Sequence, residues 1–119
     1  MGKPIYDLED RLVKFAGDTI LFANGLPKDK AGIHLGGQVI RSASSSALNY
    51  GEAQGAESTK DKIHKLGIVL KELKETRVAL KILNYVNYGM PAKRTYLLKE
   101  CNELVAIVAS MIKNKKKQI

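Results

Sequence analysis

A group of polar residues in the middle of the chain has the types and spacing that could do chemistry. Arg41, Ser45 and Glu52 recur at intervals of four and seven, which places them on one face of a helix. A guanidinium facing carboxylates on a neighbouring helix predicts a buried or half-buried network that fixes how the two helices pair. Two alternatives remain open, a site lining a surface or ring channel and a pair of catalytic carboxylates. The predicted network consists of Arg41, Ser45, Asn49, Glu52, Glu72 and Glu75.

Basic residues form a second group with possible function. Residues 1–57 hold six basic and seven acidic residues, a net charge of −1. Residues 58–119 hold fourteen basic and five acidic residues, a net charge of +9, so the whole chain carries +8. This imbalance favours an anionic partner whose phosphates release counterions on binding, although a solvated helix face or a solubilising tail is the ordinary alternative. The predicted nucleic-acid contacts are Lys71, Lys74, Arg77, Lys81, Lys93, Arg94, Lys113, Lys115, Lys116 and Lys117.

The remaining residue types that could bind a metal or attack a substrate are sparse. His34 and His64 lie on different predicted helices, and a zinc site needs three or four ligands at suitable spacing. Cys101 falls on an apolar stripe with no nearby histidine, which favours a core residue over a nucleophile. We therefore expect no metal, no cofactor and no enzymatic activity.

The elements that must position these residues are helices. Gly and Pro occur together at residues 25–27 and 89–91, and a Gly-Ala-Glu-Ser break stands at 55–58. Between the breaks, apolar residues recur at helical spacing, and Ser58 followed by Asp61 resembles a capping box. These features predict an all-α, antiparallel up-and-down four-helix bundle. It occupies residues 1–119 as a single domain, with helices at 7–24, 30–55, 59–88 and 92–115.

Two of the predicted helices have unusual compositions. The second is rich in Gly, Ser and Ala, which are residues that could equally form a loop, but Val39, Ala43, Ala47 and Tyr50 keep a helical stripe. The third holds more apolar residues than one seam of a bundle needs, which predicts oligomerisation, with a thick monomer core as the alternative. These additional apolar residues are Ile68, Val69, Val78, Ala79, Ile82 and Val86.

Two blocks of residues on the second and third helices carry a resemblance to a known family. The first block comprises residues 38–45, Asn49 and residues 52–56, and the second comprises residues 60–68, 70–72, 75–76 and Leu80. In order and spacing they resemble the four-helix-bundle proteins named after the intervening sequences of 23S ribosomal RNA genes. The resemblance covers roughly residues 36–83. It departs from the usual pattern at Val78-Ala79, where many members carry an aromatic pair.

The resemblance implies an assembly of identical chains. Related proteins form ring-shaped homopentamers, and five copies of a chain with charge +8 would carry +40. One related protein, the accessory protein of diversity-generating retroelements, is a basic pentamer that engages reverse transcriptase and nucleic acid. The family itself has no established biochemical activity.

These observations lead to one functional prediction and one alternative. We predict a non-enzymatic homo-oligomer, pentameric by resemblance, that binds RNA, DNA or a nucleic-acid-associated protein through basic surfaces. The alternative is a protein-interaction scaffold that does not bind nucleic acid directly. No apolar run approaches the ~18 residues of a membrane span, and the first ten residues turn acidic where a secretory signal is apolar. We therefore expect a cytoplasmic location without membrane contact.

Overall fold

The protein consists of four helices in a computed structural model that describes residues 7–119. They are α1 (Leu8–Asn24), α2 (Lys30–Gln54), α3 (Thr59–Tyr85) and α4 (Pro91–Lys116). Each helix packs against the next one along the chain, and α1 also packs against α4, whereas the described helices at opposite corners do not meet. This arrangement confirms the predicted all-α, antiparallel up-and-down four-helix bundle. Its longest dimension is 47 Å.

Side-chain caps begin three of the helices. The Asp7 carboxylate accepts a hydrogen bond from the Asp10 amide (3.3 Å), and Asp29 accepts one from the Gly32 amide (2.8 Å). At the start of α3 the Ser58 hydroxyl accepts from the Asp61 amide (3.0 Å), as the capping sequence predicted. The fourth helix begins with a proline, which has no amide hydrogen to satisfy in the first turn.

The second helix is continuous despite its small residues. Its buried face includes Gly36, Ser42, Ala43, Ser46 and Ala53. Because these side chains are short, the backbones of the flanking helices can approach closely, and leucines and phenylalanines from those helices fill the core. The prediction of a helix here is confirmed, and tertiary packing explains why weak intrinsic propensity did not prevent it.

The third helix ends earlier than predicted. It stops at Tyr85 rather than at residue 88, because the next residues turn the chain sharply towards α4. Asn87 adopts φ 58° and Gly89 adopts φ 84°, both in the left-handed region. A Cβ at Gly89 would also lie 2.5 Å from Cε1 of Phe22. This turn therefore depends on glycine both for its backbone conformation and for contact with α1.

A hydrogen bond joins the two loops at this end of the bundle. The Tyr88 hydroxyl donates to Asp29, the residue that caps α2. This bond, together with the Gly32 amide, lowers the pKa of Asp29 below its ordinary value. A carboxyl whose pKa is lowered by folding stabilises the fold above its unfolded pKa of ~3.9, and that contribution is lost as the pH falls through the folded value.

We expect Asp29→Asn to make the free energy of unfolding depend less on pH in the acid range. Asparagine still caps a helix, but it does not titrate, so the wild type should be more stable than the variant at pH 7. This advantage should shrink as the pH falls below ~4. Urea denaturation at pH 7 and pH 3 measures it. Parallel profiles for the two proteins would contradict the assignment.

Candidate nucleic-acid interface

The predicted arginine–carboxylate contact joins α2 to α3. Arg41 donates from both terminal nitrogens to Glu72 (3.1 and 3.4 Å) and from Nη2 to Glu75 (2.6 Å). Glu72 is only 6% exposed, and its hydrogen bond raises the pKa of Arg41. Both carboxylates contact the same guanidinium, so the cluster fixes how α2 and α3 pair. It does not resemble a catalytic pair, in which one carboxylate would act as the acid and the other as the base.

The other predicted network residues form contacts that are separate from the Arg41 cluster. Asn49 donates to the carbonyl oxygen and to Oγ of Ser45 (2.9 and 3.0 Å), one turn earlier in its own helix. Glu52 pairs with Lys65 of α3 (2.8 Å). The expectation that Ser45 and Asn49 complete the Arg41 network was wrong, because residues four apart in a helix reach each other more readily than a neighbouring helix.

One buried polar contact between α2 and α3 was missed in the sequence. The hydroxyls of Ser42 and Thr76 lie 2.7 Å apart, and Thr76 also donates to the carbonyl oxygen of Glu72 (2.8 Å). Both hydroxyls are fully buried. Ser42 and Thr76 belong to the two blocks that carry the family resemblance, and their place in those blocks could have indicated that they meet. Many of the polar residues in those blocks therefore form contacts between α2 and α3.

An ion-pair cluster between α1 and α4 holds two carboxylates of α4 against one arginine of α1. Arg11 contacts Glu100 through Nε and Nη2 (2.6 and 2.7 Å), and Nη2 also contacts Glu103 (2.7 Å). Together with the Arg41 cluster, this pairs four acidic residues of α3 and α4 with arginines from α1 and α2. Each of the two clusters keeps one net negative charge, and most of the lysines without a carboxylate partner within residues 7–119 lie on α3 and α4.

That unpaired charge lies on the surface that α3 and α4 share, which we call the basic face. On α3 its residues recur at intervals of three and four, and on α4 they share a stripe with Asn102, whose Oδ1 accepts from Arg77 (3.2 Å). Within residues 7–119, none of them lies within ion-pair distance of a carboxylate. The basic face comprises Lys74, Arg77, Lys81, Lys99 and Lys113, with Lys74 at its edge towards α2.

The C-terminal lysines extend this face. Because α3 and α4 are antiparallel and Arg77 meets Asn102, the last turn of α4 lies beside the first half of α3, where Lys60 and Lys62 lie. Positive side chains thus run along most of α3, which is ~40 Å long at ~1.5 Å per residue. This end holds the predicted contacts Lys115, Lys116 and Lys117. Lys99 was absent from the predicted set, although its spacing from Lys113 on α4 could have indicated it.

Two of the predicted basic contacts lie away from this face. Lys71 is near Glu75 (3.9 Å), on the side of α3 that borders α2. Lys93 lies with Asp18 and Tyr96 on the side of α4 that borders α1.

Arg94 is a structural residue, and its assignment as a nucleic-acid contact was wrong. It is 5% exposed. Its Nε donates to Asn84 (2.9 Å) and its Nη2 to Asn87 (3.0 Å), while Nη1 donates to the carbonyl oxygens of Tyr88 and Gly89 (2.7 and 3.1 Å). The guanidinium therefore organises the turn between α3 and α4 and cannot reach a phosphate outside it.

The described residues contain no arrangement typical of a metal site or a thiol nucleophile. No group of three His, Cys, Asp or Glu residues is placed to hold a metal ion between residues 7 and 119. Cys101 is buried and donates to the carbonyl oxygen of Leu73 (3.2 Å). Burial raises the pKa of its thiol to about 12, which disfavours the reactive thiolate. None of the four described helices could cross a bilayer.

A similar bundle is known from crystallography. The chain resembles the crystal structure of a protein of unknown function from the S23 ribosomal protein family of Bacteroides thetaiotaomicron, with a TM-score of 0.83 and 28% sequence identity. The match covers 90% of this chain and 99% of that one.

A family comparison agrees with the sequence blocks. The profile of a family described as 23S rRNA-intervening sequence protein matches residues 8–110, which include all of α1, α2 and α3 and most of α4. No protein of curated function matches the chain. On the profile match, the chain belongs to the family of 23S rRNA-intervening sequence proteins.

Proposed function

We propose that this protein is a non-enzymatic, cytoplasmic homo-oligomer that binds RNA or DNA through the basic face. One observation carries the proposal. The acidic residues Glu72, Glu75, Glu100 and Glu103 are paired with arginines, whereas the lysines of the basic face have no carboxylate partner among the described residues. A surface of this kind suits phosphate, whose binding releases counterions.

Assembly would strengthen such binding. The family resemblance implies five copies, and a ring would repeat the basic face around one particle. Each copy contributes its own phosphate contacts, and contacts made by linked copies reinforce one another through effective concentration. Few aromatic side chains are exposed near the basic face; the nearest in sequence are Tyr96, three residues before Lys99, and Tyr85, four residues after Lys81. We therefore propose contact with the phosphate backbone rather than sequence-specific recognition.

Two matched double variants test this function. Lys81→Gln with Lys99→Gln removes two positive charges from the basic face at positions outside the α2–α3 surface, and Lys28→Gln with Lys30→Gln removes two exposed charges near the loop between α1 and α2. Binding of labelled RNA and duplex DNA is measured by anisotropy across a salt series. We expect the first variant to weaken duplex binding and to reduce the log–log salt slope by about 2 per chain if both lysines contact phosphates. The second should leave the slope unchanged.

Two results would overturn the proposal. If the wild type binds neither RNA nor DNA more tightly than a neutral protein at low salt, the protein-interaction scaffold becomes the better interpretation. If both double variants lose the same affinity and slope, net charge rather than the basic face governs binding.

A further inference from the structure

An open apolar groove lies on the surface formed by α2 and α3. Its volume is about 720 Å³, and its lining includes Leu35 of α2 with Leu70, Val78 and Ile82 of α3. Val78 is 55% exposed, and Ile82 is also exposed. Of the additional apolar residues predicted on α3, Val69 and Ala79 are buried in the core. Val78, Ile82 and Val86 are exposed, so this part of the chain carries apolar surface that the bundle does not bury by itself.

The rim of the groove is positively charged. Two lysines of α3, Lys71 and Lys74, border it. The one carboxylate in the lining, Glu75, accepts from Arg41 at 2.6 Å and lies 3.9 Å from Lys71, so Lys74 supplies the rim charge that has no carboxylate partner within residues 7–119. A surface that fits this groove would therefore be apolar in the centre and acidic at its edge.

The outer face of α1 has that chemistry, and we call it the α1 ridge. Val13, Gly17 and Leu21 recur every four residues along it, and Leu21 is 65% exposed. A Cβ added at Gly17 would meet nothing within 4 Å, so a neighbouring surface can approach the helix closely there.

Acidic residues lie at the start of the α1 ridge. Glu9 and Asp10 are exposed and form no ion pair within residues 7–119. The charge of Asp7 raises the pKa of Asp10, which reflects crowding of negative groups. Lys14, the nearest lysine on the helix, pairs with Asp18 at 2.7 Å. Lys93 of α4 lies beside Leu21 at the other end of the ridge. The negative charge of the ridge is therefore confined to its first turn, around Glu9 and Asp10.

We infer that the groove between α2 and α3 of one copy receives the α1 ridge of a second copy. The inference rests on the proposed homo-oligomer and specifies its interface. Groove against groove would oppose two lysine rims, and ridge against ridge would oppose two acidic ends, whereas groove against ridge pairs opposite charges. Since every copy carries one groove and one ridge, the contact is head-to-tail and can close into a ring. Most of the basic face, on the α4 side of α3, stays open to nucleic acid.

Two exposed positions allow each half of the contact to be disrupted separately. Val78→Glu places a negative charge in the groove, and Leu21→Lys places a positive charge on the ridge. Both side chains are exposed, so the helical fold should persist, and circular dichroism checks it. By light scattering, each variant alone should be monomeric under conditions in which the wild type assembles. Leu48→Glu is the matched control, because Leu48 is 70% exposed on α2 but lies outside the groove and the ridge. It should assemble as the wild type does.

Mixing the two variants tests the head-to-tail geometry. The Val78→Glu chain keeps an intact ridge and the Leu21→Lys chain keeps an intact groove, so an equimolar mixture should form one-to-one heterodimers and stop there. A contact between identical surfaces would not be restored by mixing. Assembly of Val78→Glu as the wild type, or a mixture that stays monomeric, would overturn the interface. A monomeric wild type would instead overturn the homo-oligomer in the proposed function, and nucleic-acid binding would still be decided by its own variants.

Discussion

Gly32→Ala should destabilise the protein by about 3 kcal/mol or more, although it adds only one methyl group. Gly32 lies in the first turn of α2, where the chain passes directly beneath the preceding loop. A Cβ at this position would lie 1.8 Å from the carbonyl oxygen of Pro27 and 3.2 Å from the Asp29 carboxylate. Because the nearest obstacle is backbone, a side-chain rotation cannot relieve the clash. The loop would have to move, and the Asp29 cap would be weakened with it.

Gly51→Ala is the matched control for this prediction. Gly51 lies in the same helix, and a Cβ there would meet nothing within 4 Å. This substitution should stabilise the helix by up to ~1 kcal/mol, since alanine has the higher helix propensity. Urea denaturation of both variants at equal protein concentration provides the comparison. A Gly32→Ala protein as stable as the wild type would contradict the close approach of the loop.

Arg94→Met should destabilise the protein by about 3 kcal/mol, because it leaves buried acceptors without donors. Methionine fills a similar volume but removes the hydrogen bonds to Asn84, Asn87 and two backbone carbonyls. Arg94→Lys should recover only part of the loss, since an ammonium cannot reproduce the planar fork of a guanidinium. Denaturation midpoints of the two variants and of Lys93→Met, at the exposed neighbouring position, measure the effect.

The same variants separate structure from binding at this position. Folded Arg94→Lys should bind nucleic acid with wild-type affinity, because the side chain contacts the turn between α3 and α4 and not the surface. An exposed lysine in direct contact with phosphate would behave in the opposite way, losing affinity without losing stability. Weakened binding by a fully folded Arg94→Lys protein would restore Arg94 as a nucleic-acid contact.

The sequence was sufficient for the features that depend on local pattern. Helical spacing and the Ser58 cap predicted the bundle, and a contact between Arg41 and a carboxylate was predicted from charge and helix face. Arg94 was misassigned because it follows Lys93 in a basic run, but it also precedes Leu97 by three residues and Cys101 by seven. That spacing places it on the buried stripe of α4, so the signal was present.

Other features could not be predicted from local pattern. Arg11 and Glu100 are 89 residues apart, and no local spacing indicates that they meet. The groove is lined by residues of two helices that lie far apart in sequence, such as Leu35 and Val78, and its shape is set by how those helices pack. The pairing of acidic residues, and hence the location of the unpaired charge, follows from the same packing. Composition gave the total charge, and the fold determined which surface carries it.

Which helices pack together also affects how the bundle folds. Three of its four helix contacts join neighbours along the chain, connected by loops of about five residues. Such hairpins close with little loss of chain entropy, which favours fast folding. The contact between α1 and α4 is different, because it unites the two ends of the fold and is held in part by the Arg11 ion pairs. Closure at this seam is the step with the largest entropic cost, and its partly electrostatic character makes it the step most sensitive to ionic strength.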